Sequence, residues 1–195
     1  MMISPARESD LATIADHLGR TFAADPSIGW ILRRTADPVA LTTAYYRIVV
    51  EGVHRIGHID VAREGDAYLG CAVWLPPGAD LPAPSPAQAL SLLRQAKGAW
   101  VPLVRYLAAT SRVRLPFPAW YLAVIAVDDS ARGKGVGSAL LDAGLERCGT
   151  DPIRLEATSA RSAKLYESRG FIHLGDLTTP APTPEHYMWR PRLDG

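Results

Sequence analysis

Residues 121–141, YLAVIAVDDSARGKGVGSALL, decide the fold. The first seven are an unbroken apolar run of strand length, β-branched at Val124, Ile125 and Val127. Gly133, Gly135 and Gly137 follow at alternate positions, which removes side chains where the backbone packs closely and permits unusual backbone angles. Leu140, Leu141, Gly144, Leu145 and Cys148 then recur at helical spacing. The stretch reads as a buried strand, an acidic turn, a glycine-rich loop and a helix. Unpaired N–H groups at the start of such a helix converge on one point, and the helix dipole adds positive potential there. Arg132 and Lys134 supply full charges beside it. The guest this predicts is a diphosphate; the alternative is a strand-to-helix turn that the glycines merely tighten.

Of two familiar phosphate loops, these letters reject the first and demote the second. The Walker loop needs Gly, then four residues, then Gly-Lys-Ser/Thr. Gly133-Lys134 is followed by Gly135, and residue 128 is Asp. The dinucleotide fingerprint needs glycines at the first, third and sixth positions, and the sixth from Gly133 is Ser138. Glu156 stands where its acidic partner would, but too little chain follows for the repeated strand–helix units of that fold.

Arg-Gly-Lys-Gly-Val-Gly at 132–137 does fit Arg/Gln-x-x-Gly-x-Gly, and residues 153–175, IRLEATSARSAKLYESRGFIHLG, contain Leu-Tyr-Glu-x-x-Gly-Phe. In these motifs the chain resembles the GNAT N-acetyltransferase superfamily. Residues 72–75, AVWL, and 118–123, PAWYLA, are similar to puromycin N-acetyltransferase and its drug-modifying relatives. The resemblance implies a mixed α/β fold around a mostly antiparallel sheet of roughly six or seven strands, splayed at the cofactor site, with helices on both faces. It implies acetyl-CoA as cofactor, its pyrophosphate on Arg132, Gly133, Lys134, Gly135, Val136, Gly137 and Ser138. Main-chain groups of Ile125, Ala126 and Val127 would bind pantetheine and polarise the thioester carbonyl.

Ser159, Ser162 and Tyr166 share one face of a short helix by spacings of three and four. The resemblance turns that face to the cofactor and matches Tyr166 to the general acid. A phenol of pKa about 10 stays protonated at neutral pH and can donate to a thiolate near about 8.5. The other reading of Tyr166 is a core aromatic. Glu156, on the polar face of its strand, is the best carboxylate for a general base; the alternatives are an ion pair with Arg154, or water in the base's place.

Composition bounds these readings. A chain of 195 residues, 48% hydrophobic and 21% charged, suits one domain with a sizeable core. A net charge of +1 provides no field to recruit nucleic acid or an anionic membrane. Cys71 and Cys148 read as small core residues rather than a disulfide. With neither a leader pattern nor a membrane-spanning apolar run, a cytoplasmic protein is expected, as monomer or homodimer.

Elsewhere, a short strand at 3–6 precedes a helix over Leu11, Ile14, Ala15, Leu18 and Phe22, broken by Asp25-Pro26. Phe22, Asp25 and Trp30 gather at this break and, with Trp74, form the expected acceptor-binding set; otherwise Phe22 and Trp30 staple the helix end to the core. Asp37-Pro38 opens a second helix that Gly57 ends, and 58–63 with 67–75 form a hairpin. Ala89, Leu93, Ala96, Trp100, Leu103 and Leu107 argue for a helix split or kinked at Pro102. Arg112 and Arg114, in a proline-bounded loop, are either solvated or in reach of the cofactor's 3′-phosphate. Strands at 153–158, 171–177 and 185–189 close the sheet, with Gly170 left-handed after the short helix. No metal site is expected: His54 and His58 lack the Glu of His-Glu-x-x-His, Arg55 standing there.

The function these readings converge on is transfer of acetyl from acetyl-CoA to a primary amine of a small molecule, an aminonucleoside or other antibiotic among them. The alternatives are a catalytically weak GNAT-like module that senses acyl-CoA and, more distantly, a dinucleotide-binding oxidoreductase.

Overall fold

The computed structural model describes residues 1–110 and 115–193, so Arg112 and Arg114 lie outside the described residues. Seven strands form one sheet: β1 (Met2–Pro5), β2 (His58–Glu64), β3 (Ala67–Leu75), β4 (Trp120–Val127), β5 (Ile153–Ala157), β6 (Ile172–Leu177) and β7 (Glu185–Arg190). Their order is β1-β2-β3-β4-β5-β7-β6, and β4–β5 is the parallel neighbour pair.

Helices α1 (Leu11–Ala23) and α3 (Pro38–Ile56) cover one face, with the short α2 (Ile28–Leu32) between them in sequence. Helices α6 (Val136–Cys148) and α7 (Ala160–Glu167) cover the other. β3 shows how the layers arise. Cys71, Val73 and Leu75 point to α1 and α3, while Ala72 and Trp74 point to α6, so a strand buried on both faces reads as continuous apolar sequence. Asp37 caps α3 by accepting the Ala40 N–H at 2.9 Å, and Pro38 occupies the first turn, where no N–H is needed.

The middle of the chain departs from the expected break. α4 (Pro86–Gln95) and α5 (Trp100–Thr110) are separated at Gly98, whose φ is +94°, and Pro102 lies inside α5's first turn, where it is tolerated. The face turned inward carries Ala96 and Ala99 with Leu92, Leu103 and Tyr106, packed against Ile31, Leu32 and Leu41. Leu93, Trp100 and Leu107, half of the stripe read from sequence, face solvent instead. Residues 28–32, treated as part of a break, form α2 because Asp25 accepts the N–H groups of Ser27 at 2.8 Å and Ile28 at 3.1 Å.

One irregularity positions the site. The β4–β5 ladder ends after Trp120↔Ile153 and Tyr121↔Arg154. The β3–β4 register shifts where Val73 faces Val124 but Trp74 faces Leu122, leaving Ala123 as an extra residue. Tyr121, Ala123, Val124 and Ala126 therefore all face the α1/α3 side, and Leu122, Ile125 and Val127 the α6 side. β4 bulges where it parts from β5.

Candidate active site

Beyond the parting, β4 runs into the acidic turn. Asp128 Oδ1 accepts the Ser130 N–H at 3.0 Å and the Ser130 hydroxyl at 2.6 Å, and this folds residues 129–131 into a single 3₁₀ turn. Gly133 and Gly135 then take φ of +78° and +77°. A Cβ at either would meet nothing within 4 Å, so these glycines are required by conformation and not by crowding. Close packing, expected at all three, is not what they share: even at Gly137 a Cβ would make only an ordinary contact, 3.4 Å from Val127 Cγ2.

Gly135 is the N-cap of α6 and has no side chain to cap with. The N–H groups of Val136, Gly137 and Ser138, the first three of the helix, have no intrahelical acceptor. Val136 is buried and pins the loop to the core, while Lys134 is exposed. Arg132 rests on Asp129 at 2.7 Å, both well exposed. The result is a concave row of free donors at the positive end of a helix, beside the edge of β4 that β5 leaves open. Ile125 and Val127 flank it on the α6 side, with Ala126 turned the other way.

α7 begins across this opening. Ser159 Oγ accepts the Ser162 N–H at 3.1 Å, and the two hydroxyls lie 2.9 Å apart, so both serines are engaged in the cap. Tyr166 is buried, its ring 5.7 Å from that of Phe171. Burial alone acts on its hydroxyl and drives the pKa further above the ordinary phenol value, so the group is a proton donor throughout the physiological range.

Glu156 is on the opposite face of β5. Tyr121 donates to its Oε2 at 2.7 Å, Arg154 Nη1 lies 3.3 Å from Oε1, and the Arg154 guanidinium sits 3.7 Å over the Tyr121 ring. The ion pair with Arg154 is therefore real, and it is buried rather than superficial, at 17% and 12% side-chain exposure. Burial raises the Glu156 pKa against the pull of Tyr121 and Arg154.

The four acceptor-side residues do not form one set. Phe22 packs on Tyr46 with ring centroids 5.0 Å apart, the stapling alternative. Asp25 caps α2, and Trp30 lies under the Arg33 guanidinium at 3.5 Å. Trp74 requires a correction: it is fully buried, its indole filling the space beside Gly144 of α6, so it cannot line a site open to an acceptor. A strand with both faces covered leaves no position for a ligand-facing tryptophan there.

Other residues escaped the sequence reading. Glu185 opens β7 at 1% exposure, and Tyr187 follows on the same face. Tyr106 of α5 and Asp25 both act electrostatically on Glu185, and Tyr45 of α3 acts on Tyr106 and Tyr121. The signal available was slight: a lone carboxylate after a proline-rich loop, in a strand otherwise taken as ordinary. Among the described residues, His173, Asp176 and His186 form one group of potential metal ligands, their ligating atoms within 4.8 Å of one another. Hydrogen bonds account for it: both rings meet Asp176 Oδ1, at 2.8 and 2.7 Å. A separate groove of about 470 Å³, lined by Phe117, Pro118, Asp151, Pro152 and Trp189, opens at the start of β4 and β5, and no predicted site residue lines it.

A family model of the acetyltransferase (GNAT) domain matches residues 99–173. A Corynebacterium glutamicum structure described as histone acetyltransferase HPA2 and related acetyltransferase is 34% identical, with 100% of this chain and 97% of that one covered, at a TM-score of 0.78. The chain belongs to the GNAT acetyltransferases. Two more distant structures share the GNAT fold. Mosquito arylalkylamine N-acetyltransferase like 5b is 17% identical over 97% of this chain and 98% of its own, at a TM-score of 0.62. YncA of Salmonella typhimurium, solved with acetyl-CoA, is 19% identical over 100% and 95%, at 0.59. As a GNAT member the protein is an acetyl-CoA-dependent acyltransferase, which excludes the oxidoreductase reading. No helix of this GNAT chain among the described residues is long and apolar enough to cross a membrane.

Proposed function

We propose that this acetyltransferase transfers acetyl directly from acetyl-CoA to the primary amine of a small molecule, in a single-step attack without an acyl-enzyme. The observation that carries the reading is the juxtaposition of the open edge of β4 with the uncapped start of α6. The coenzyme pyrophosphate takes the N–H groups of Gly133 and of residues 135–138, the Lys134 N–H being given to the Ala131 carbonyl, with the Arg132 and Lys134 side chains adding charge. Pantetheine replaces β5 as the hydrogen-bonding neighbour of Ile125, Ala126 and Val127, and Ser159 and Ser162 flank it. In this reading the thioester lies at the parting of β4 from β5, between the Tyr166 side of the sheet and the Glu156 side.

Attack of the amine on the thioester carbon expels the coenzyme sulfur, which takes the Tyr166 proton; a buried phenol that never ionises near neutrality suits that role. Glu156, held by Tyr121 and Arg154, orients the amine or a water on the other face. The acceptor enters over Phe22, Asp25 and Trp30. The AVWL and PAWYLA runs support an aminonucleoside-like or related antibiotic acceptor in particular.

Calorimetry with CoA, followed by an amine screen read as the mass gain of one acetyl group, tests this. Binding with turnover is expected. Tight CoA binding with no turnover of any amine points instead to the acyl-CoA-sensing module, and no heat with CoA removes the reading altogether.

A further inference from the structure

We propose that Glu185 is the anion that receives the acceptor's ammonium group and takes its proton before attack. The proposal rests on the acetyl-CoA reading above and deepens it.

Glu185 is 1% exposed, and among the described residues its Oε1 has no hydrogen-bond partner. Tyr187, two residues on and on the same face of β7, also has a buried hydroxyl with none. Two orphaned polar groups on one strand face leave an unmet demand for a ligand with both charge and hydrogen bonds. Burying a carboxylate without a cation costs several kcal/mol, a cost that proteins keep where a ligand completes the pair.

The charged groups acting on Glu185 come from three elements. Tyr106 of α5 approaches as a hydrogen-bond donor, and the carboxylates of Asp25, ahead of α2, and Glu156 of β5 repel it. Among the described residues, the cation in this neighbourhood, Arg154, is committed to Glu156 and to the Tyr121 ring. Three carboxylates and one arginine leave an excess of negative charge, and an ammonium supplies the missing positive charge together with three donors. Tyr45 of α3 acts on both Tyr106 and Tyr121, so aromatic side chains from three elements lie in this region, a setting that suits the organic part of an amine. Ser27 Oγ lies 3.3 Å from Thr183 Oγ1, so the segments bearing Asp25 and Glu185 are tied together.

The carboxyl of Glu185 is pushed up to about 7, chiefly by burial, with Glu156 and Asp25 adding to the rise and Tyr106 opposing it. Such a group is poised to accept a proton at neutral pH. The ammonium gives one proton to Glu185, and the freed lone pair forms the N–C bond. The C–S bond breaks with its electrons on sulfur. Sulfur takes the Tyr166 proton, the nitrogen's surplus proton restores the phenol, and Glu185 releases its own to solvent.

The test uses n-butylamine, 2-phenylethylamine and 1,4-diaminobutane as acceptors, thiol release as the rate, and calorimetry for acetyl-CoA. For the wild type, kcat/KM rises with pH through a limb near neutrality. Glu185→Gln lowers kcat/KM at pH 7 by about 10²-fold or more and abolishes that limb, while acetyl-CoA affinity stays within about twofold. Tyr106→Phe removes the donor that favours the charged carboxylate and moves the limb to higher pH, an effect that a purely structural role would not produce. An unchanged limb and rate in Glu185→Gln overturns the proposal, and so does a wild type that binds acetyl-CoA yet acetylates none of the three amines. A wild type that binds no acetyl-CoA is a separate failure, that of the coenzyme reading itself.

Discussion

The Tyr121 hydroxyl donates to Glu156 Oε2 at 2.7 Å across the last rung before β4 and β5 separate. A strand-end tyrosine thereby stabilises the charged form of a carboxylate that burial would neutralise. Tyr121→Phe removes one charge-assisted hydrogen bond, worth about 1.5–3 kcal/mol. The Glu156 carboxyl should titrate higher in the variant, with acetyl-CoA affinity unchanged. Carbon-detected NMR of the glutamate carboxyls reads this directly, and an unmoved titration would refute it.

Tyr166→Phe keeps the ring against Phe171 and deletes only the hydroxyl. Turnover should fall by about 10²- to 10⁴-fold while CoA affinity stays nearly intact. Unchanged turnover in a thiol-release assay would return Tyr166 to the status of a core aromatic.

Gly135→Ala forces an alanine to φ of +77°, where the left-handed conformation costs about 1–2 kcal/mol. No neighbour is crowded, so the effect is conformational. CoA affinity should drop about tenfold or more, as the loop and its free N–H groups shift to relieve the strain. Calorimetry on the folded variant measures it; full affinity would show that those N–H groups are not the phosphate site.

The ligand-free protein should lose stability as pH rises across the window set by Glu185. Its carboxyl holds a proton to about 7 when folded, against an ordinary value near 4.5. Between these two values the unfolded chain has released that proton and the folded chain has not, so raising pH favours unfolding. Glu185→Gln should therefore melt a few degrees higher than wild type at pH 8 and show a smaller difference at pH 4.5. Equal melting temperatures at pH 8 would contradict the burial of an unpaired charge.

Gly144→Ala places a methyl group at less than van der Waals distance from Cζ2 of the fully buried Trp74 indole. Overpacking of this kind costs about 1–3 kcal/mol. The melting temperature should fall by about 2–4 °C per kcal/mol, and a neutral result would mean that α6 can slide on β3.

The strand–loop–helix core of the site was legible because its physics is local. The positive-φ glycines, the helix that begins without a cap, and the Ser159 cap follow from residues a few positions apart, and their letters sufficed. The alternating burial of β3 and β5 was legible for the same reason. Where α4 ends and α5 begins was not, since Gly98 and Pro102 are both breakers, and which face turns inward depends on Leu41 and Ile31 arriving from elsewhere.

By itself, then, the order of residues determined the glycine-rich loop, the strand and helix around it, and the membership that those motifs announce. Tertiary structure alone decided that Trp74 is core, that Arg154 and Tyr121 hold Glu156, and that Glu185 is buried beside Asp25 and Tyr106, with no cation acting on it among the described residues. The reason is range. Backbone conformation answers to neighbours in sequence, whereas the charge state and accessibility of a side chain answer to whatever distant segments the fold lays against it.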